Sequence, residues 1–283
     1  MKLHQLITEL FQSSTYTLKD TKKGLTNRNF LLTVNQKQYM LRLPYEDTQH
    51  FLDRKQEAHV LEMINNLSLD VHLIYFNIAS GIKITTFIPH LEEFENSQYK
   101  DKIERVAKLM KKLHTASYHC EQDFQPIETW KRYYNRIQHP IYDLSNFLSI
   151  LQDVQNLHNP NVLCHNDWVS GNILLGESKD YLIDFEYAAN NDPLFDVMSF
   201  ITENHIDNEQ DRERFYQVYF DTMTPTLQRQ LLIWEIFHHL LWCTWAMMMY
   251  EARNNPTFLE IAHQKYHALT ISFQKKDAYP TSS

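Results

Sequence analysis

The chain has 283 residues, of which 43% are hydrophobic and 22% are charged, and its formal net charge is −8 at pH 7. These values are typical of globular proteins and exclude wholesale disorder. A negative net charge without a run of lysine and arginine argues against nucleic-acid binding. The three cysteines show no metal-ligand spacing and the N-terminus lacks the apolar segment of a signal peptide, so we expect a cytoplasmic protein with free thiols.

The first third of the sequence predicts a small lobe that mixes strands and a helix. Two short apolar runs, residues 29–34 and 38–43, are joined by three polar residues and predict a β-hairpin. Apolar residues then recur at helical spacing, and two more strand-like runs follow, around residues 71–77 and 82–88. We therefore expect a β-rich lobe over residues 1–89.

The remainder of the sequence is mostly helical in pattern. One apolar face runs from Ile103 to Leu113, and residues 130–157 also follow a helical pattern. A non-helical segment at 162–184 interrupts the helices, which then continue to about residue 274. The predicted divisions are a linker near residues 88–97, a helical lobe over 90–274 and a flexible tail over 275–283.

The most apolar stretch, Leu231 to Met249, is about as long as a membrane-spanning helix. It contains Glu235, His238 and His239, whereas a spanning helix of about 20 residues carries few charged groups or none. We therefore interpret the stretch as a buried helix and expect no membrane insertion. The two histidines show no ligand pattern and are interpreted as packing residues.

The most informative segment of the sequence runs from His165 to Asp184. Asp167 follows His165 by two positions, Asn172 comes five positions later, and Asp184 follows after two apolar pairs. This spacing is typical of the catalytic segment of kinase-fold phosphotransferases. Phosphoryl transfer needs an oriented hydroxyl group and cations that neutralise the phosphate oxygens. We predict that Asp167 accepts the proton of the hydroxyl group and that Asn172 and Asp184 hold Mg²⁺.

Two apolar pairs in this segment predict short strands. The pairs are Ile173-Leu174, directly after Asn172, and Leu182-Ile183, directly before Asp184. Two paired strands at these positions would hold the predicted metal ligands at a fixed separation.

The predicted N-terminal lobe supplies residues for nucleotide binding. Arg42 ends a strand that follows the loop at residues 22–28, and Glu57 opens the next helix. In a kinase fold a basic strand residue grips the α- and β-phosphates and is held by an acid on that helix, and a guanidinium group can bind phosphate with two hydrogen bonds. The loop contains only one glycine, so its contacts with phosphate would come from backbone amides between Gly24 and Asn27.

Together these residues resemble the choline/ethanolamine kinase family, and in particular its bacterial choline kinases, within the wider aminoglycoside-phosphotransferase group. The resemblance spans about residues 20–255. It implies an α+β, bilobal protein-kinase-like fold with a small N-terminal β-rich lobe and a larger, mostly helical C-terminal lobe. It also implies Mg²⁺ as cofactor and ATP as co-substrate. The residues implied in ATP binding are Asn27, Arg42, Glu57, Phe87 and Ile88. The motifs that carry the resemblance are Gly24 to Asn29, Arg42, Glu57, His165 to Asp167, Asn172 and Asp184 to Ala188.

A choline substrate would need a particular kind of pocket. A quaternary ammonium group has no N–H to donate, so aromatic faces and carboxylates must recognise it. Trp242 and Trp245 are three positions apart on the apolar helix, and Glu235 lies two turns earlier on the same side. The residues predicted to bind the substrate, some of them by resemblance, are Glu186, Tyr187, Trp242, Trp245 and Tyr250.

Several alternatives share the same catalytic segment. Ethanolamine and thiamine kinases differ from choline kinases in the pocket, and an aminoglycoside phosphotransferase would need many acidic side chains for its polycationic substrate. A non-catalytic pseudokinase has no need to keep Asp167, Asn172 and Asp184 together. The short segment from Asn191 to Asp196 replaces the activation loop of a protein kinase and favours a small-molecule substrate. The sequence leaves the exact alcohol and the oligomeric state open.

Overall fold

The protein is described by a computed structural model that covers residues 3–24, 26–45 and 52–276. The chain divides into two compact units. One unit comprises Met1–Ser97 and Gly171–Tyr187, and the other comprises Gln98–Ser170 and Ala188–Ser283. The first unit is β-rich and the second is mostly helical. The first division lies at Ser97, eight positions beyond the expected residue 89.

The strands and helices have the following bounds. The strands are β1 (Tyr16–Asp20), β2 (Asn27–Val34), β3 (Lys37–Pro44), β4 (Leu73–Phe76), β5 (Lys83–Thr86), β6 (Glu92–Glu93), β7 (Val162–Cys164), β8 (Ile173–Leu175), β9 (Tyr181–Leu182) and β10 (Ala189–Asn191). The helices are α1 (Leu3–Phe11), α2 (Arg54–Asn65), α3 (Lys102–His114), α4 (Pro126–Tyr134), α5 (Ser149–Leu157), α6 (Pro193–Glu203), α7 (Glu209–Tyr219), α8 (Pro225–Arg253) and α9 (Pro256–Lys276).

A five-stranded antiparallel sheet forms the first unit, in the strand order β1-β2-β3-β5-β4. The predicted hairpin is confirmed as β2 and β3. Burial alternates along β2, because successive side chains of a strand point to opposite faces. The residues buried on the core face are Ile7 of α1, Phe30, Leu32, Val34, Leu41 and Ile84. Helix α1, which packs on this face through Ile7, was not expected from the sequence.

A second, smaller sheet in the first unit joins β6, β8 and β9. Ile173 pairs with Leu182, and the backbone N–H of Ile183 donates to the carbonyl of Asn172 at 2.9 Å. The two short strands expected between Asn172 and Asp184, the predicted metal ligands, are therefore present. Segment Gly171–Tyr187 belongs to the first unit although it was expected in the helical lobe, because β8 pairs with β6.

Helix α8 is the core of the second unit. It packs against α4, α5, α6 and α9. By length and composition α8 could cross a membrane, but 89% of its most apolar window is buried inside the protein. The expectation of a buried helix is confirmed.

Two helical predictions in the second unit were wrong in extent. Residues 130–157 do not form one helical stretch, since α4 ends at Tyr134 and α5 begins at Ser149. Pro140 lies in the gap, and a proline disfavours helical geometry in the residue before it. Helix α9 continues to Lys276, so the first residues of the predicted tail are helical, and residues 277–283 lie outside the described part of the chain.

Candidate active site

Helix α6 anchors the loop that carries the predicted base, and both lie in the second unit. The Asp196 carboxylate accepts hydrogen bonds from the backbone N–H groups of His165, at 2.8 Å, and Asn166, at 2.7 Å. Asn166 has a left-handed backbone with φ of 66°, a geometry that a non-glycine residue adopts only at a cost. The two bonds fix the backbone directly before Asp167, which is half-buried.

A second anchor holds the loop directly after the predicted base. The backbone N–H of Trp168 donates to the hydroxyl oxygen of Ser199 at 3.0 Å. Ser199 follows Asp196 by three positions on α6, so the two side chains share a helix face. Asp167 is therefore held from both sides by buried polar residues that the sequence analysis did not single out. Their signal was available, since each is a polar residue inside an otherwise apolar helix.

His114 of α3 contacts the first anchor. Its Nε2 lies 3.0 Å from Asp196 Oδ2 and its Nδ1 lies 2.5 Å from the hydroxyl oxygen of Tyr219. Burial opposes ionisation of Asp196, but the hydrogen bond and charge of His114 outweigh it and lower the pKa of the carboxyl group. Asp196 therefore stays ionised, as an acceptor of two backbone hydrogen bonds must.

The same region contains the one compact His, Cys and Asp group found among the described residues. The ligand atoms of His114, Cys164 and Asp196 lie within 4.8 Å of one another. Burial raises the pKa of the Cys164 thiol well above its usual range, and both ring nitrogens of His114 already have partners. We interpret this group as a hydrogen-bonded support of the loop.

In the first unit, six ionisable side chains form a buried charge cluster. Its central ion pair is the one expected between Arg42 and Glu57, with Arg42 Nη2 at 2.7 Å from Glu57 Oε1. Arg42 Nη1 also donates to Asp184 Oδ1 at 2.6 Å. Three cationic and three acidic groups balance one another here. The charge cluster consists of Arg42, Arg54, Lys83, Glu57, Asp184 and Glu186.

Arg42 keeps its charge in this cluster although it is almost completely buried. Burial works against the charged form, but the carboxylates of Asp184, Glu57 and Glu186 outweigh it and raise the pKa of Arg42. A fully charged guanidinium group in a region with little water is suited to attract phosphate oxygens.

Two cations of the charge cluster, Lys83 and Arg54, were not expected from the sequence. Lys83 lies opposite Arg42 on the neighbouring strand, and its Nζ is 3.5 Å from Asp184 Oδ1. Arg54 opens α2 and its Nη1 lies 2.6 Å from Glu57 Oε2. Arg54 lies three positions before Glu57, so its contact with Glu57 follows from helical spacing. Lys83 comes close to Arg42 only because their two strands pair, and the sequence does not show that pairing.

Glu186 lies inside the charge cluster and not in an open pocket. Its side chain is 2% exposed, and Arg54 Nη1 lies 3.0 Å from Oε2. The amide of Asn27 donates to both carboxylate oxygens at 3.1 Å. Burial, together with the neighbouring charge of Asp184, raises the pKa of Glu186. In these contacts Glu186 and Asn27 bind each other. They therefore give no support to the predictions that Glu186 binds substrate and that Asn27 binds nucleotide.

The oxygen atoms of Asn172 and Asp184 suit a magnesium ion. Magnesium prefers hard oxygen ligands, and carboxylate and amide oxygens are of this type. The two residues flank the paired strands β8 and β9, and Asp184 has a left-handed backbone with φ of 67°. Its carboxylate attracts two cationic side chains, Arg42 and Lys83, so a cation is already favoured at this position.

The loop expected to bind phosphate contains a position that requires glycine. Gly24 has φ of +102°, and a Cβ added there would lie 2.6 Å from the carbonyl oxygen of Asn27. The chain therefore turns back on itself at this point, as a backbone-amide phosphate site requires. Leu25 of the same loop lies outside the described residues.

Phe87 and Ile88 follow β5 and are half-buried. The backbone N–H of Phe87 donates to Gln38 at 3.3 Å. Ile88 lines a cavity of about 240 Å³ together with Leu61, Ile64 and other residues. Of the residues predicted to bind ATP, Ile88 alone is among the described residues that line this cavity. Nucleotide binding by Phe87 and Ile88 stays a prediction.

The predicted substrate residues of α8 are more exposed to solvent than most of their neighbours on the helix. From Leu231 to Tyr250, the half-buried residues are Ile233, Trp242, Trp245 and Tyr250, whereas the others are buried. Trp242 and Trp245 meet edge to face, with ring centroids 5.9 Å apart. Tyr187, the remaining predicted substrate residue, is half-buried in a 3₁₀ turn of the first unit.

Glu235 does not have the role that its spacing suggested. Its carboxylate makes two hydrogen bonds to Arg212 of α7, at 2.8 and 3.1 Å, and is buried. These contacts give no support to the prediction that Glu235 offers its charge on the side of Trp242, and helical spacing could not show the ion pair with another helix.

The anchored Asp loop in a helical unit, together with the basic strand residue paired with a helix acid in a β-sheet unit, defines a kinase-like phosphotransferase. Comparison with known proteins makes this specific. The sequence profile of the Choline/ethanolamine kinase family matches residues 18–233, and the chain belongs to this family. It is an ATP-dependent phosphotransferase.

Individual relatives agree with this membership. The protein LicA of Haemophilus influenzae is 24% identical over 248 residues, which cover 82% of this chain and 73% of the relative. The ethanolamine kinase of Saccharomyces cerevisiae is 24% identical over 239 residues, 70% of this chain and 43% of the relative. The crystal structure of choline kinase LicA from Streptococcus pneumoniae superposes with a TM-score of 0.82 and 25% identity, covering 96% of this chain and 98% of that one. The expected α+β, bilobal kinase-like fold is confirmed.

Proposed function

We propose that this protein phosphorylates choline, transferring the γ-phosphate of ATP to its hydroxyl group with Mg²⁺ in the cytoplasm. The observation that carries the proposal is the partly solvent-exposed aromatic group of Trp242, Trp245 and Tyr250, which are half-buried on a helix whose stretch from Leu231 to Tyr250 is otherwise almost completely buried. Exposed aromatic faces bind quaternary ammonium groups, while a core tryptophan would be buried with its neighbours. The three cysteines are buried and form no disulfide, which supports the expected reducing compartment.

The catalytic roles follow from the two anchored segments. Asp167 accepts the proton of the choline hydroxyl group, which frees the oxygen to attack the γ-phosphorus. Asn172 and Asp184 hold Mg²⁺, which neutralises the charge of the phosphate oxygens when bound. Arg42 and Lys83 provide positive charge for the α- and β-phosphates, and Glu57 keeps Arg42 in place through their ion pair.

Ethanolamine is the second candidate, because relatives of this chain include an ethanolamine kinase. A primary ammonium group donates hydrogen bonds and would need carboxylate or carbonyl partners. Both carboxylates that the sequence offered for this purpose are occupied, Glu186 by Asn27 and Arg54 and Glu235 by Arg212. Their occupation favours the methylated ammonium group of choline, and it also disfavours polycationic aminoglycosides.

A substrate screen tests the proposal. ADP release is measured with a coupled assay in the presence of choline, ethanolamine, thiamine or an aminoglycoside. We expect the highest kcat/KM with choline. A higher value with any of the other alcohols would overturn the choline assignment, and no ADP release with any of them would favour a pseudokinase.

Replacement of the aromatic residues tests the pocket itself. Each desolvated cation–π contact contributes up to about 2 kcal/mol, so Trp242→Leu or Trp245→Leu should raise the KM for choline roughly ten- to thirtyfold. The KM for ATP should hardly change. Melting temperatures are measured on the same variants, since loss of a core tryptophan destabilises by about 3–5 kcal/mol. Lower stability with an unchanged KM for choline would show that the tryptophans are core residues.

A further inference from the structure

His238 of α8 has two hydrogen-bond partners that fix its ring completely. The residue is fully buried, its Nε2 lies 2.8 Å from the carbonyl oxygen of Phe195, and its Nδ1 lies 3.2 Å from Nε1 of Trp242. A carbonyl oxygen can only accept a hydrogen bond, so Nε2 carries the proton. An indole N–H can only donate, so Nδ1 accepts with its lone pair. Both partners therefore select the same neutral tautomer.

The neutral form of this histidine persists under ordinary conditions. Burial lowers the pKa of His238 to about 4, and the charge of Lys265 adds to this effect while that of Glu203 opposes it. The imidazole ring also packs on the ring of Phe195, with centroids 4.1 Å apart. Nδ1 is thus available to Trp242 at neutral pH.

The bond to His238 changes what Trp242 can offer to a ligand. An indole N–H carries partial positive charge, which would repel a nearby cation. In Trp242 that N–H donates a hydrogen bond to the lone pair of His238 Nδ1. The ring face, which carries the negative potential of the π-system, is left for contact. Trp242 retains exposed surface and meets Trp245 edge to face, so its orientation is set by His238 on one side and by Trp245 on another.

We propose that His238 is a positioning residue for substrate recognition, which holds the Trp242 indole so that its π-face meets a trialkylammonium group. The proposal rests on the proposed function, since it names what orients the aromatic wall of that site. It replaces our interpretation of His238 as a packing residue. His239, its neighbour in the chain, makes no hydrogen bond to Trp242 and serves as a comparison.

The test compares two alcohols that have the same shape and differ in charge. One is choline, and the other is its neutral analogue, in which a tert-butyl group replaces the trimethylammonium group. His238→Phe keeps a ring of similar size but removes both ring nitrogens. We expect its kcat/KM for choline to fall by about tenfold, its value for the neutral analogue to change little, and its KM for ATP to stay unchanged.

Two further variants separate positioning from stability. His239→Phe is the matched control, because His239 is also buried on α8. It should lower the melting temperature without altering the preference for choline over the neutral analogue. His238→Asn places an amide oxygen near the position of Nδ1 and should restore part of that preference. In NMR spectra, the indole N–H resonance of Trp242 should move upfield in His238→Phe and not in His239→Phe.

The possible failures are distinguishable. If the wild-type protein shows no preference for choline over the neutral analogue, the proposed function is wrong and this inference is wrong with it. If the wild-type protein prefers choline and His238→Phe keeps that preference, only the role of His238 is wrong. An equal loss of the preference for choline in His238→Phe and His239→Phe would also overturn that role, because a general loss of stability would then explain the change.

Discussion

We propose that Asp167, and not its neighbour Tyr133, accepts the proton of the substrate hydroxyl group. The nearby Tyr133 also carries an ionisable hydroxyl group, but burial raises its pKa to about 12, and the charge of Asp167 contributes to that shift. Tyr133 is therefore protonated at neutral pH and cannot act as a base there. Of these two neighbours, Asp167 is therefore the one that we propose as the base.

We expect Asp167→Asn to lower kcat by roughly 10²-fold or more, because the amide has the same size but no basic oxygen. The KM for ATP should change little, since the charge cluster and the proposed metal ligands are unaltered. Steady-state kinetics with choline as substrate measure both constants. Glu128→Gln, a change at an exposed acid on α4, is the control and should leave both constants unchanged. Near-normal turnover in Asp167→Asn would remove the residue from the catalytic role.

The catalytic residues could be proposed from the sequence because their spacing is local. Asp167, Asn172 and Asp184 lie within one segment, and the two short strands between them were visible as apolar pairs. Glu186 shows the limit of this reasoning. Its position in the segment suggested a substrate ligand, but its charge partner is Arg54, which is 132 positions away in the sequence. Spacing along the chain contains no information about such a partner.

At the scale of secondary structure, α6 acts as the support of the catalytic loop. Asp196 and Ser199 present two acceptors, one helical turn apart, to backbone N–H groups on either side of Asp167. Three hydrogen bonds to two side chains of one helix fix both the position and the direction of the loop. A buried backbone N–H that loses its acceptor costs about 1–3 kcal/mol, so the loop would move to recover one.

Asp196→Asn should therefore lower kcat by on the order of 10²-fold, because a displacement of about 1 Å at the base can have that effect. Ser199→Ala removes the weaker anchor and should have a smaller effect in the same direction. The kcat and the melting temperature are measured for each variant, so that the loss of kcat can be compared with the loss of stability. Ser272→Ala, which removes another buried hydroxyl group from the second unit, is the control for stability alone. Equal kcat values for Ser199→Ala and Ser272→Ala would contradict a role for the anchor.

Helix α8 carries two buried histidines that couple stability to pH. The pKa of His238 is lowered by burial to about 4, and burial lowers that of His239 well below 6.5, with the charges of Lys265 and Arg212 adding to it. In the unfolded chain both rings titrate near 6.5. Between about pH 6.5 and 4 the unfolded chain therefore binds more protons than the folded one, and acid favours unfolding.

We expect the two histidines to lower the free energy of unfolding as the pH falls below about 6.5, by up to about 1.4 kcal/mol per pH unit for each histidine. Burial raises the pKa of Asp70 and of Asp192 to about 6, so these two carboxyl groups act in the opposite direction over the same range. Urea unfolding at several pH values between 7.5 and 5 measures this dependence. His239→Phe removes one titrating ring and should make the decrease less steep than in the wild-type protein. An unchanged pH dependence in this variant would show that His239 does not contribute to it.

At the scale of the whole molecule, the sequence predicted the secondary structure of the two units better than the boundaries between them. Hydropathy patterns are local and identified the β-hairpin and the apolar helix. The assignment of segment Gly171–Tyr187 to the first unit depends on the pairing of Glu92 with Leu175 across more than 80 positions. Register between strands so far apart is set by packing of the folded chain, and the sequence pattern of either strand is too short to reveal it.

The charge cluster of the first unit leads us to propose that nucleotide binding there requires magnesium. ATP without metal would bring several negative charges toward the carboxylates of Asp184, Glu57 and Glu186, and Arg42 and Lys83 are already paired with these. The added charge would therefore be repelled. A bound Mg²⁺ would occupy Asp184 and leave Arg42 and Lys83 available to the phosphates.

We expect ATP with Mg²⁺ to raise the melting temperature and ATP with EDTA to leave it nearly unchanged. A ligand at 100 times its Kd stabilises by about 2.7 kcal/mol, which for a chain of this size is an increase of roughly 5–10 °C. Asp184→Ala should abolish this increase and also turnover at saturating Mg²⁺, whereas Glu177→Ala, a change at an exposed acid between β8 and β9, should preserve both. Turnover in metal-free buffer, or the same increase with EDTA as with Mg²⁺, would exclude Asp184 as a metal ligand. Stabilisation that depends on Mg²⁺ and disappears only in Asp184→Ala would establish the role independently of activity.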